Sequence, residues 1–220
     1  MSTTAPSVLT SAASALIRDL AKNRWRNGEA TPPILDIPGD RATLARCLGR
    51  PFSDLSWLQA ERFVSPHLPA GADTATEQAF FLVAAMVCGQ SPRGRALDTG
   101  RDRVSSSDDP SAGSLGRAMA IAVVHRRLLD DKGAEGRLLQ LASQDTAGLH
   151  RRLPTLVKFL RDGRTPLSWE QLIVDLAQWR YGRNETARSW MRDYHRTRLN
   201  LEANKRRKDK ISDSPESENR

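Results

Sequence analysis

A chain of 220 residues with a formal charge of +8 and 39% apolar residues is long enough for one hydrophobic core, and a two-lobed arrangement fits within that length. Its pI near 10.2 makes polyanions the natural partners, nucleic acid or an acidic protein surface, and no stretch is long and apolar enough to span a bilayer. The C-terminal twenty residues hold six Lys/Arg against five Asp/Glu, so nearly all the net positive charge belongs to residues 1–200.

Residues 1–12 are small and polar and read as flexible. From Ser14 to Trp25, Leu16, Ile17, Leu20 and Ala21 share one helical side, with Gly28 as a stop. TPPILDIP then reads as an extended linker. Asp40 is placed to cap a short helix through Gly49, with Leu44, Cys47 and Leu48 inward and Arg46 and Arg50 at i,i+4 on the outer face. Like charges at that spacing cost about 0.2–0.5 kcal/mol, which suggests an anion opposite them.

SWLQAERFV (Ser56–Val64) is a further helix, ended near Pro66. Thr74-Ala-Thr-Glu77 reads as a capping box ahead of AFFLVAAMVCG, whose unbroken apolar run leaves no polar face and predicts a central helix stopping at Gly89. Residues 90–113 lose all periodicity and read as a long flexible loop. With Arg93, Arg95, Arg101 and Arg103, that loop is either an arm on a nucleic-acid backbone or a solvated connection.

Helix resumes over Ser114–Leu129, with Leu115, Met119, Ala122 and Val123 inward and Arg117, Arg126 and Arg127 elsewhere. Gly133 and Gly136 bracket a short gap. Leu149, Leu153, Leu156, Val157 and Leu160 then form a helical seam with Arg151 and Lys158 almost opposite. Pro154 requires a kink or a new helix near Leu153. After a turn, Ser168-x-x-Gln171 forms a capping box for a helix burying Trp169, Leu172, Ile173, Leu176 and Trp179. YGRN is a turn, Asn184 caps a last helix burying Ala187, Trp190, Met191 and Tyr194, and residues 201–220, charged and Ser-rich, read as a disordered tail.

The fold class is therefore all-α: a bundle of roughly eight or nine helices over residues 13–200, with a flexible loop at 90–113. No internal repeat and no alternating β run is present. Cys47 and Cys88 sit in apolar contexts as buried free thiols, and the N-terminus lacks a secretory pattern, so a reducing cytoplasm is expected. No phosphate loop, His-Glu-x-x-His or Cys-x-x-Cys occurs, and the four histidines share no helical spacing. Asp108-Asp109 lies in the flexible loop, unsuited to metal or general-acid work. No catalytic residue, metal or cofactor is expected.

The charge-bearing candidates are Arg24, Arg46, Arg50, Arg117, Arg126, Arg127, Arg137, Arg151, Arg152, Lys158 and Arg161. Most lie opposite or beside apolar seams, and if the bundle gathers those faces they form a groove that follows phosphates without reading bases. Trp25, between Arg24 and Arg26, is open to packing or to base stacking.

The run from Arg137 to Trp179, GRLLQLASQDTAGLHRRLPTLVKFLRDGRTPLSWEQLIVDLAQW, with SLGRAMA upstream and Trp190 downstream, resembles the CasB family. CasB is the small subunit of the type I-E CRISPR surveillance complex, Cascade. The resemblance spans roughly Ser114–His195, and Arg41–Pro51 more loosely. It implies an arginine-rich, all-helical, non-enzymatic subunit that sits with a second copy of itself among the large and backbone subunits. There it would contact guide RNA and hold target and displaced DNA strands in the R-loop. Arg117, Arg137, Arg151 and Arg152 are the matched positions. The alternative is a basic helical adaptor for an acidic protein surface.

Overall fold

A computed structural model describes residues 6–22, 24–26, 29–100 and 110–212. Among the described residues nine α-helices carry the fold: α1 (Pro6–Ala21), α2 (Pro38–Ala45), α3 (Leu55–Val64), α4 (Thr74–Cys88), α5 (Pro92–Thr99), α6 (Leu115–Val124), α7 (Asp131–Ala142), α8 (Thr146–Asp162) and α9 (Trp169–Ser212). One antiparallel ribbon, β1 (Arg24–Arg26) with β2 (Glu29–Thr31), joins α1 to the rest. The all-α expectation holds.

α4 is the centre. Every residue from Ala79 to Cys88 is buried, as a helix without a polar face requires. α9 packs along α6, α4, α1 and α7, and the buried side chains from α1 to α9 form one contiguous cluster. Trp169, Trp179 and Trp190 are all inside it, the last two stacked with ring centroids 5.1 Å apart. The closest approach is α6 on α9. Gly116 lies against the Trp190 backbone, where an added Cβ would overlap the carbonyl group. No helix among the described residues is long and apolar enough to cross a membrane.

Local chemistry moves several boundaries. α1 starts at Pro6, within the stretch read as flexible, because Leu9 already belongs to the buried seam. The Pro-rich linker is a single 3-10 turn, Ile34–Asp36, that buries Ile34 and Leu35. The cap of α4 is Asp73, whose carboxylate accepts the Thr76 N–H at 2.8 Å, one residue before the expected box. α2 begins with Pro38 at its first turn, where a missing N–H costs nothing, so Asp40 is inside the helix and not its cap.

The 90–113 segment is not all loop. Ser91 caps α5, accepting from the Gly94 N–H, with Pro92 at the first helical position. Residues 101–109, with Arg101, Arg103 and the Asp108-Asp109 pair, lie outside the described residues. Gly133 and Gly136 sit within α7, which Asp130 caps through the Gly133 N–H at 3.0 Å. α6 ends at Val124, short of the expected Leu129.

α8 runs unbroken through Pro154. Proline there costs about 3 kcal/mol, but the buried leucines on both sides hold the helix together. The YGRN turn is a kink at Gly182 (φ −137°, ψ 39°) inside α9, with no cap at Asn184. α9 then continues to Ser212, into the segment read as a disordered tail, because neither Gly nor Pro interrupts residues 183–212. Arg198 and Glu202 pair at i,i+4 there, 3.8 Å apart. Residues 213–220 lie outside the described residues.

Candidate nucleic-acid interface

α8 organises the charged surface. Asp145 caps it, accepting the Gly148 N–H at 2.7 Å, and Leu149, Leu153, Leu156, Val157 and Leu160 are buried. At about 100° per residue, Arg151 and Lys158 fall about 20° apart on the opposite side, and both are exposed. Arg152 and Phe159 form a second exposed row about 100° round from Arg151. Lys158 donates to Asp162 at 2.6 Å, and that bond pulls the Asp162 carboxyl below its usual range.

Neighbouring elements extend this surface on both sides. From α7, the Arg137 guanidinium lies 5.5 Å from the centre of the Phe159 ring, continuing the second row. On the first row's side, the turn after α2 brings in Arg50, which pairs with Asp54 at 3.5 Å and stays 61% exposed. Two clefts run between that turn, α4 and α8. One, of about 410 Å³, is lined by Arg50, Phe52, Trp57, His150 and Arg151 among others; the second, of about 280 Å³, continues past Arg151 to Lys158. Arg50, Arg151 and Lys158 thus line one groove, with Arg152 and Arg137 on its shoulder.

The other candidates are placed differently. Arg46 is the residue after α2, its Nε donating to the Ala42 carbonyl at 3.1 Å, and Arg50 lies beyond the left-handed Gly49. They are not an i,i+4 pair on a helix, because α2 ends at Ala45. Arg117 donates to the Ser111 carbonyl and hydroxyl, both at 3.0 Å, in a segment fastened to α9 by Ser114 and Asp193. Arg126 and Arg127 follow the end of α6, Arg127 with left-handed backbone (φ 52°). Arg24 and Trp25 lie in β1, and their side chains fall outside the described residues.

Arg161 is a correction. It is 2% exposed and cannot meet a ligand. Its Nη2 donates to Asp98 Oδ1 at 2.5 Å and to the Gly94 carbonyl at 2.9 Å. Nε donates to Gln90 Oε1 at 2.8 Å, and Nη1 to the Thr165 carbonyl at 3.3 Å. Asp98 Oδ2 also accepts from Gln90 Nε2 at 2.6 Å and from Trp169 Nε1 at 3.1 Å. Burial pulls the guanidinium pKa down and the Asp98 carboxylate opposes it. Arg161 is a buried clamp holding α5 to α8.

Sequence reasoning missed Phe52 and His150 in the groove. Phe52 stacks on Trp57 with centroids 4.3 Å apart and planes 16° apart, and Phe81 meets both rings edge-on at 5.9 Å. A five-residue separation in FSDLSW carries no periodicity that would signal the stack. Burial lowers the His150 pKa to about 4, so the imidazole is neutral at pH 7. Cys47, at the groove wall, donates its thiol to the Ser56 carbonyl at 3.4 Å, and burial raises its pKa.

A further cleft of about 440 Å³ is lined by Asp73, Asp175 and Glu185, a charge that repels phosphate. Asp175 there accepts from Trp190 Nε1 at 2.6 Å and Gln171 Nε2 at 2.9 Å, while burial raises its pKa. Ser168 does cap α9, accepting the Gln171 N–H at 3.1 Å, so the expected capping box is half formed. Among the described residues, no three His, Cys, Asp or Glu side chains converge as metal ligands.

The model of the family described as CRISPR-associated protein Cse2 matches residues 40–195, which include α8 and the whole groove. A chain of a CRISPR RNA-guided surveillance complex is 33% identical, covering 89% of this chain and 98% of its own, with a TM-score of 0.73. The corresponding chain of such a complex in a pre-nicking state has the same identity and coverage and a TM-score of 0.74. The crystal structure of M. ruber CasB, 23% identical over 87% of this chain and 97% of its own, has a TM-score of 0.58 and shows the shared fold. No curated protein sequence is matched.

Proposed function

Since the chain belongs to the CRISPR-associated protein Cse2 family, we propose that it is the non-catalytic small subunit of a type I-E CRISPR RNA-guided surveillance complex in the cytoplasm. In antiviral defence it would hold guide RNA, target DNA and displaced strand in the R-loop. A second copy of itself and the large and backbone subunits would be its protein partners. The observation that carries this reading is the placement of Arg50, Arg137, Arg151, Arg152 and Lys158 on one surface of α8 and its neighbours, within the segment that matches the family.

Such a surface has the chemistry of a phosphate track. Four of its five cations are arginines, whose planar forks suit phosphate oxygens. Exchanging a DNA duplex for an RNA–DNA hybrid plus a free strand is nearly balanced, a point the Cas9-type effectors illustrate. Modest, sequence-independent attraction for the displaced strand is therefore enough to tip it.

The test is purification of the tagged chain from its host, native mass spectrometry of the intact assembly, and sequencing of the RNA it carries. A large ribonucleoprotein with paired copies of this chain and short repeat-derived RNAs is expected. A free 24.4 kDa monomer, or an acidic protein partner without RNA, would overturn the reading.

A further inference from the structure

The cleft between the turn after α2, α4 and α8 contains more than a phosphate track needs. Its aromatic platform is Phe52, the exposed member of the stack at 37%, over Trp57 at 5% and edge-on to Phe81 at 3%. Arg50 and Arg151 line the same cleft, and so does His150. The volume, about 410 Å³, lies in the range of small-ligand sites.

We propose that this cleft holds one unpaired nucleobase of a bound single strand, stacked on Phe52, with Arg50 and Arg151 on the flanking phosphates. The proposal rests on the backbone-binding reading above and adds a ligand to it. A flat ring needs a π face, and the platform supplies one without selecting among bases, since every base can stack. Two guanidiniums beside a flat apolar surface match the pattern of a nucleotide, a heterocycle with an anion on each side. A base within a duplex cannot enter, because its faces are already stacked. The cleft therefore favours the displaced strand over paired DNA.

The test uses the full chain and two single strands of equal length, one carrying 2-aminopurine among ordinary bases and one abasic throughout. The unaltered chain is expected to change the 2-aminopurine fluorescence on saturation and to bind the base-bearing strand more tightly. Phe52→Leu should weaken that strand about tenfold and leave the abasic strand unchanged, whereas Phe52→Tyr should bind like the parent. Arg151→Glu should weaken both strands. No fluorescence change in the unaltered chain at saturation, a readout independent of any variant's folding, would overturn the base pocket. Equal effects of Phe52→Leu on the two strands would do the same, and either result would leave the phosphate track standing. Failure of the unaltered chain to retain either strand would sink the track itself, and the pocket with it.

Discussion

Replacing Arg161 separates the buried cation from the exposed ones. Arg161→Met keeps the length of the side chain, removes four hydrogen bonds to Gln90, Gly94, Asp98 and Thr165, and leaves the 10%-exposed Asp98 carboxylate without its counter-charge. Breaking a buried pair from one side costs about 3–5 kcal/mol. With a urea slope of about 2–3 kcal/mol per molar, the unfolding midpoint should fall by about 1–2.5 M. Arg161→Met combined with Asp98→Asn should recover part of that loss, because the amide leaves no charge stranded and can still accept from Trp169 Nε1; the double-mutant cycle should show coupling of about 0.5–3 kcal/mol. At a urea concentration where the variant is folded, its affinity for single-stranded DNA should equal that of the parent. A midpoint within about 0.3 M of the parent, or a fully folded variant that has lost DNA, would refute the assignment of Arg161 as a clamp.

On the phosphate track, Arg151→Glu and Lys158→Glu should each lower the slope of log affinity against log salt by about 1 with little change in stability, as anisotropy titrations at several ionic strengths would show. His150 makes stability depend on pH. Its pKa is 6.5 unfolded and about 4 folded, so the unfolded chain binds the extra proton between those values. The stability it contributes is complete above pH 6.5 and is lost as pH falls toward 4, about 2 kcal/mol of it by pH 5; denaturant curves at pH 7 and 5 should show that loss, reduced in His150→Gln. Gly116→Ala should destabilise by about 1–3 kcal/mol or more, since the new methyl would lie 2.6 Å from the Trp190 carbonyl carbon and α6 must move off α9. A thermal midpoint unchanged by this substitution would contradict the close packing of the two helices.

The fold was legible where a pattern repeats along one element. The apolar run of α4 and the leucine seam of α8 announce themselves by spacing, and both are buried as their spacing requires. Glycine misled in α7, where the Asp130 cap and the Ala134, Leu138 and Leu141 seam outweigh the propensity cost of Gly133 and Gly136. Composition misled in α5, although Ser91-Pro92 is a start signal in its own right. The site was half legible. Arg151 and Lys158 follow from their position opposite the seam. Phe52 and Trp57 meet through a turn that no period describes, and Arg161 finds Asp98 63 residues away, a distance over which sequence gives no sign of a partner.

Angular position on α8 explains why like-charged residues have unlike roles. Taking Arg151 as the origin at about 100° per residue, the seam from Leu149 to Leu160 occupies roughly 140–240°, Lys158 lies near −20° and Arg152 near 100°. Arg161 falls near −80°, between the seam and the exposed row, one turn beyond Lys158. A cation at that border is exposed unless something covers it, and α5 covers it. The cover also shapes the groove: Gln90, held between Arg161 and Asp98, lines the cleft that Lys158 faces. The buried arginine therefore fixes the wall against which the exposed cations stand. Loss of the clamp should lower stability without removing any of the groove's charge, so that the folded variant keeps its affinity, whereas loss of Arg151 or Lys158 should remove charge from a groove that keeps its shape.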